Sequence, residues 1–385
     1  MLNKYHTNSG GCRLEARRSV MLKWMASGFS LIELMIGITL GMIVIAGVTT
    51  VFINSNQTRS EIERANRQIE NGRYASSLIA DDLRMAGYLS SFDPFQSIIF
   101  PNAPPLSGAS ALTGVPDPCA TSMTGSADSL INTFFIHVQG LDNAASTLPS
   151  CVADVKAGTD ILVIRRLSSC VAGPTAGSGC DAVVTGAPYF QASNCNAAGE
   201  LATNTGSNTD YQAYFALSTA ASALTKRNLN CTTAADYRRL FVRIYFVANN
   251  NVGSDGVPTL KRAELGASGF TIVSLVDGIE NLQLEYGMDT NNDGLVDVFS
   301  ASPSTYGSCV GLACVFNWLH VYSAKVYVLA RGSTTSAGHT DTKTYVLGRK
   351  SDGTDNSFGP FNDAYKRSAF TSTVRLENPA GRRLP

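Results

Sequence analysis

The chain has 385 residues, with 30 Lys and Arg against 30 Asp and Glu. Five of the basic residues (Lys4, Arg13, Arg17, Arg18, Lys23) and one acid (Glu15) precede residue 29, so the remaining 25 basic and 29 acidic residues carry a net charge of −4. That mild acidity argues against a nucleic-acid-binding surface, and the 357 residues after Gly28 suffice for one large domain or two small ones.

The first predicted element is GFSLIELMIGITLGMIVIAGVTTVFI, Gly28 to Ile53. As a helix, its 25 residues from Phe29 would span about 37 Å, more than the ~30 Å of hydrocarbon in a bilayer. The single charge is Glu33, one turn in. A carboxylate in lipid costs roughly 2.5–3.5 kcal/mol at a helix centre and less near an end, so Glu33 must sit near the interface or be paired. A plain anchor accounts neither for this glutamate nor for the basic segment ahead of it. Cleavage after Gly28 accounts for both: it creates an amine at Phe29, and Glu33 can pair with such an amine on a neighbouring subunit. The basic leader predicts a cytoplasmic N-terminus and a body on the outer side of the membrane. Met1, Met21 and Met25 all stand as starts, with leaders of 28, eight or four residues.

The stretch GFSLIELMIGI resembles the type III signal of type IV prepilins and pseudopilins. The resemblance implies that a prepilin peptidase cuts after Gly28 and methylates Phe29, and that Glu33 acts in assembly. One departure is Thr50, where many major pilins have a proline. Any local melting of the helix would have to come from Gly41, Gly47 or the threonines.

Beyond Ile53 the pattern turns polar but keeps a helical period. Ile62, Ala65, Ile69, Gly72, Ser76, Ile79, Leu83 and Ala86 form one stripe, with charges on the other faces. This predicts a single helix from about Phe29 to Ala86, with Gly87 as C-cap and the stripe buried against a sheet. Asp81 and Asp82 are adjacent, do not share a face, and read as solvated. Gly37 and Gly41 form a G-x-x-x-G that permits close helix approach.

Ser90–Ser129 is rich in Pro, Gly, Ala and Ser and reads as loop, as does Ser168–Asp210. Strands are expected at Leu130–Val138, Asp160–Arg166, Leu240–Val247 and Thr259–Leu265, the last two joined by a turn over Asn249–Pro258. Leu282, Leu284 and Tyr286 alternate with polar residues, as in a half-buried strand. Lys325–Leu329, Lys343–Leu347 and Phe370–Leu376 continue the series. With no βαβ rhythm, the fold class is α+β: a long N-terminal helix packed on a mostly antiparallel sheet with disulfide-stapled loops. The organisation is leader 1–28, membrane or filament-core helix 29–53, amphipathic half 54–88 and β-rich body 89–385.

The Leu240–Leu265 hairpin, SLVDGIENLQLEYG (Ser274–Gly287) and SAFTSTVRLENP (Ser368–Pro379) resemble the large minor pilins of the PilW type. Pseudopilin J of type II secretion has the same layout. The resemblance implies a minor subunit at or near the pilus tip that helps start assembly. Its implied partners are other minor pilins, the major pilin, the prepilin peptidase and the inner membrane. It also implies a body in the periplasm before the subunit enters the surface pilus. The alternatives are a type II secretion pseudopilin and a membrane-anchored adhesin.

Besides Cys12 there are eight cysteines: Cys119, Cys151, Cys170, Cys180, Cys195, Cys231, Cys309 and Cys314. In an exported domain an even number reads as disulfides, and Cys309–Cys314 and Cys170–Cys180 close the shortest loops. Zinc is the rival reading, with no C-x-x-C and three histidines after the leader (His137, His320, His339). Asp289, Asn291, Asp293, the Leu295 carbonyl and Asp297 follow the start of an EF-hand-type Ca²⁺ loop, with Ser300 where the last glutamate would stand. A polar turn is the competing account. No nucleophile-elbow, zincin or phosphate-loop motif is present, so no enzyme and no organic cofactor are expected.

Overall fold

A computed structural model describes residues 28–92, 112–124, 128–143, 148–173, 177, 180, 182–195 and 214–381. Residues 1–27 of the leader, Cys12 among them, and parts of both predicted loops lie outside these residues. The chain divides into two units, Met1–Arg59 and Ser60–Pro385.

Helix α1 runs without a break over Leu31–Arg84 and so passes through Thr50. The expected sites of melting are helical: Thr49 and Thr50 return their hydroxyls to Ile45 O (2.8 Å) and Ala46 O (2.7 Å). Such back-bonding satisfies a polar group without help from solvent. The helix ends two residues before the predicted position, and Gly87 takes the left-handed conformation expected of a cap (φ +69°). Its N–H goes to Arg165 O at 2.9 Å, while the Asn378 amide covers Arg84 O and Ala86 O.

The body continues with α2 (Leu130–Thr133), β1 (Val138–Leu141), β2 (Ile161–Leu167), β3 (Tyr189–Ala192), β4 (Phe215–Ser218), β5 (Tyr237–Ala248), β6 (Thr259–Gly266), β7 (Gly269–Asp277), β8 (Ile279–Met288) and β9 (Val298–Ser300). Helix α3 (Leu312–Leu319), β10 (Val321–Arg331), β11 (Tyr345–Arg349), β12 (Asp355–Phe358), β13 (Arg367–Arg375) and α4 (Glu377–Gly381) complete it. Among the described residues one sheet has seven strands. Its path is β1-β2-β5-β3-β4, with β6 on β5 and β7 on β6. A second has the order β13-β10-β8-β9, and β11 and β12 form a hairpin. Every pairing is antiparallel.

Three sequence expectations need correction here, and that of a solvated Asp82 is corrected below. Leu130–Val138 is not a strand: its first four residues are a helical turn, and the chain turns extended only at Val138. The segment serves an aromatic cluster instead. Phe134 packs at 5.2 Å from Phe190 and 5.1 Å from Phe215, and Phe92 joins them at 5.4 Å from Phe215. The β8 strand is buried along its whole length, not on one face. The helical stripe holds only from Gly72 onward; Ile62 and Ile69 are exposed.

Between Ser60 and Asn71 the contacts with the sheets are polar. Gln68 donates to Ala330 O (3.0 Å) and Asn71 to Asp277 O (3.1 Å). Glu61 accepts from Lys366 (2.8 Å) and Ser336 (2.7 Å), which hold its carboxyl below the usual range. The apolar core starts where Ala75, Ile79 and Leu83 meet both sheets. Gly72 is needed there, because a Cβ would stand 2.1 Å from the Phe370 ring.

Candidate functional site: the N-terminal junction, the long helix and the body that carries it

The junction is built by a helix start. Gly28, Phe29 and Ser30 are non-helical, and α1 begins at Leu31. Ser30 is the N-cap: its hydroxyl accepts from the Ile32 N–H (3.3 Å), and the Glu33 carboxylate accepts from the Ser30 N–H (3.1 Å). This is a capping box, S-x-x-E, which satisfies two backbone donors reciprocally. Glu33 thus has a local role that its place in the predicted signal does not reveal. Phe29 is 87% exposed, and the apolar side chains from Leu31 to Ile53 are exposed on every side of the helix. Gly37, Gly41 and Gly47 leave open notches beside it. By length and composition α1 is apolar enough to cross a membrane.

In the body, Asp82 is the anchor of the helix and is buried, not solvated as its neighbour Asp81 is. Its carboxylate accepts from Arg166 Nε (2.7 Å), Arg243 Nη1 (2.9 Å) and Tyr245 Oη (2.8 Å). Nothing local in the sequence marks it, because these partners lie 84, 161 and 163 residues away. A second hub surrounds Arg367. Its guanidinium meets Glu280, Asp341 (3.0 Å) and both oxygens of Asp363 (2.7 Å each), with the Phe361 ring at 3.8 Å. Hydrogen bonding from Arg367 holds the Asp363 carboxyl below the usual range.

The eight cysteines pair as Cys119–Cys151, Cys170–Cys180, Cys195–Cys231 and Cys309–Cys314. The two pairs with the shortest loops are among them. His137 is buried against Val321 O (2.7 Å).

The structure keeps Asp289, Asn291, Asp293, Leu295 and Asp297 in one loop after β8. The oxygens are turned to the loop itself: Asp289 accepts from the N–H groups of Asn291, Asn292 and Gly294, Asp293 from Leu295, and Asp297 from Thr290. Among the described residues no group of three His, Cys, Asp or Glu side chains is gathered to hold a metal ion.

Residues 244–378, from within β5 to the start of α4, match the family model described as Type IV Pilus-assembly protein W. The matched part contains the Arg367 hub and the whole four-stranded sheet. The match supports a type IV pilus-related family and, with it, a part in type IV pilus assembly among pilus components. Neither the curated proteins nor the solved structures offered a match to the chain.

Proposed function

We propose that this chain is a minor type IV pilin: a non-catalytic subunit made as a prepilin, held in the inner membrane by α1, and assembled into the pilus with other minor pilins and the major pilin at or near its tip. The observation that carries this reading is the joining of two features in one chain. An exposed apolar helix begins at a glycine–phenylalanine junction, and it continues into a disulfide-bearing body of which residues 244–378 match a pilus-assembly family. In this reading Gly28 is the cleavage residue, Phe29 the methylated terminus, and Glu33 the partner of a terminal amine on an adjacent subunit. An unpaired charge in an apolar filament core would be costly. Gly28→Glu is expected to block processing and leave the full-length chain in the membrane. A mature-sized band from that variant would contradict the reading.

Calcium is a lesser part of the proposal. The oxygens of Asp289, Asn291, Asp293, the Leu295 carbonyl and Asp297 lie on one loop, with Gly294 at φ +82° supplying the sharp turn. Binding would require Asp293 and Asp297 to exchange their N–H partners for the ion. Calorimetry should give a Ca²⁺ heat that Asp293→Ala removes; no heat from the unmodified chain would overturn this part alone.

A further inference from the structure

One face of the seven-stranded sheet concentrates guanidinium groups. Arg166 on β2 and Arg239 and Arg243 on β5 lie 5.0, 5.0 and 4.6 Å from the centre of the Phe241 ring. Register explains the gathering. Arg166 pairs with Phe241 across the strands, and Arg239 and Arg243 flank Phe241 at steps of two on β5. Arg262 on β6 joins through Glu264, 3.2 Å away.

Among the described residues two carboxylates face these four cations. Asp82 is taken up by Arg166, Arg243 and the Tyr245 hydroxyl. Glu264 holds Arg243 at 2.7 Å and Arg262 at 3.2 Å, and reaches Arg239 only at 3.9 Å. Arg239 otherwise makes one long bond to Leu265 O (3.4 Å), and its Nε is shielded from solvent with no hydrogen-bond partner among the described residues. The four side chains are only 13–22% exposed. Among the described residues the cations thus outnumber the carboxylates by two, where water screens charge poorly. Partly buried charges are stable when paired, and cation–π contacts with one ring compensate only in part. Arg239 and Phe241 line a recess of about 20 Å³ with Ser168, Tyr189 and the apolar side chains of Val171, Ala172 and Ala182. That is room for one oxygen atom of an entering group.

We propose that the recess beside Arg239 and Phe241 is a subsite for a single oxyanion, a carboxylate or a phosphate. Arg239 provides the planar fork, which matches either group, and Arg166 adds charge from the adjacent strand. The source is a carboxylate side chain of a neighbouring subunit or a free phosphate.

The test uses the full chain in detergent, with inorganic phosphate and acetate titrated against chloride at constant ionic strength. Thermal unfolding and calorimetry are read. The expected result is a saturable rise in Tm with phosphate, acetate or both, at least tenfold weaker in Arg239→Gln. Arg239→Lys keeps the charge but not the fork, and weakens binding several-fold. Acetate acting as well as phosphate assigns a neighbour's carboxylate, and phosphate acting alone assigns the free ion. The proposal is overturned if neither anion gives a saturable response beyond chloride, or if the response is unchanged in both Arg239 variants.

Discussion

Asp82 on α1 and Arg243 on β5 form a 2.9 Å ion pair in the interior of the body, 161 residues apart in sequence. It joins the helix to the seven-stranded sheet, and Arg166 and Tyr245 share the same carboxylate. Removing one partner of such a group leaves uncompensated buried charge, which typically costs about 3–5 kcal/mol. Asp82→Ala is therefore expected to lower the unfolding temperature sharply, and Asp81→Ala, at an exposed i,i+3 pair with Arg84, to leave it nearly unchanged. Thermal unfolding of the two variants side by side checks this.

The contrast between these neighbours also marks how far the sequence can be read. Period and composition locate α1, β2, β5, β6, β10 and β13, because those segments are long and their patterns regular. The α+β class and the antiparallel pairing follow from them. Asp82 escapes such reading because its partners are set by tertiary contact. The Phe134–Phe135 segment is misread for a related reason: strand-favouring residues are bent into an aromatic cluster by packing against Phe92, Phe190 and Phe215. Ile62 and Ile69 match the apolar period, yet the contacts there are made by Glu61, Gln68 and Asn71. At the junction, Gly28, Phe29 and Glu33 stand out at once in the sequence; the S-x-x-E spacing of Ser30 and Glu33 carried the capping-box signal as well, which the prepilin-type reading of Glu33 passed over.

That capping box separates two roles of Glu33. Glutamine also caps at this position, so Glu33→Gln preserves the local helix start, and Glu33→Ala does not. If charge pairing with a terminal amine drives assembly, both variants are processed and both enter pili poorly. Normal incorporation of Glu33→Gln would reduce the role of Glu33 to capping. Quantifying the subunit in sheared pili decides between them.

Tyr286 is fully buried, edge-on to Trp318 at 4.8 Å, and its hydroxyl has no hydrogen-bond partner among the described residues. Burying an unpaired hydroxyl costs roughly 1–3 kcal/mol. Tyr286→Phe is expected to raise the unfolding temperature. Gly140→Ala would set a methyl 2.0 Å from that hydroxyl and should lower it, an effect that adding Tyr286→Phe partly relieves. Melting curves of the two single variants and the double variant test the cycle.

Asp363 gives a pH dependence with a defined sign. Its carboxyl is held below the usual 3.8, first by hydrogen bonding from Arg367. The folded state therefore releases this proton more readily than the unfolded state. The stability it contributes is present above the usual value and is lost as pH falls through the depressed one. Asp363→Asn should show a flatter decline in unfolding temperature below about pH 4. Asp160 works in the opposite sense. Burial raises its carboxyl well above the usual range, so its contribution declines as pH rises through that window.

The most direct test of the pilus role is a clean deletion of the gene. Surface pili are counted by electron microscopy, and secreted proteins are compared in the same cultures. The account predicts loss or severe reduction of pili with secretion intact, and recovery on complementation. Intact pili with exoproteins trapped in the periplasm would contradict it and assign the subunit to a type II secretion pseudopilus.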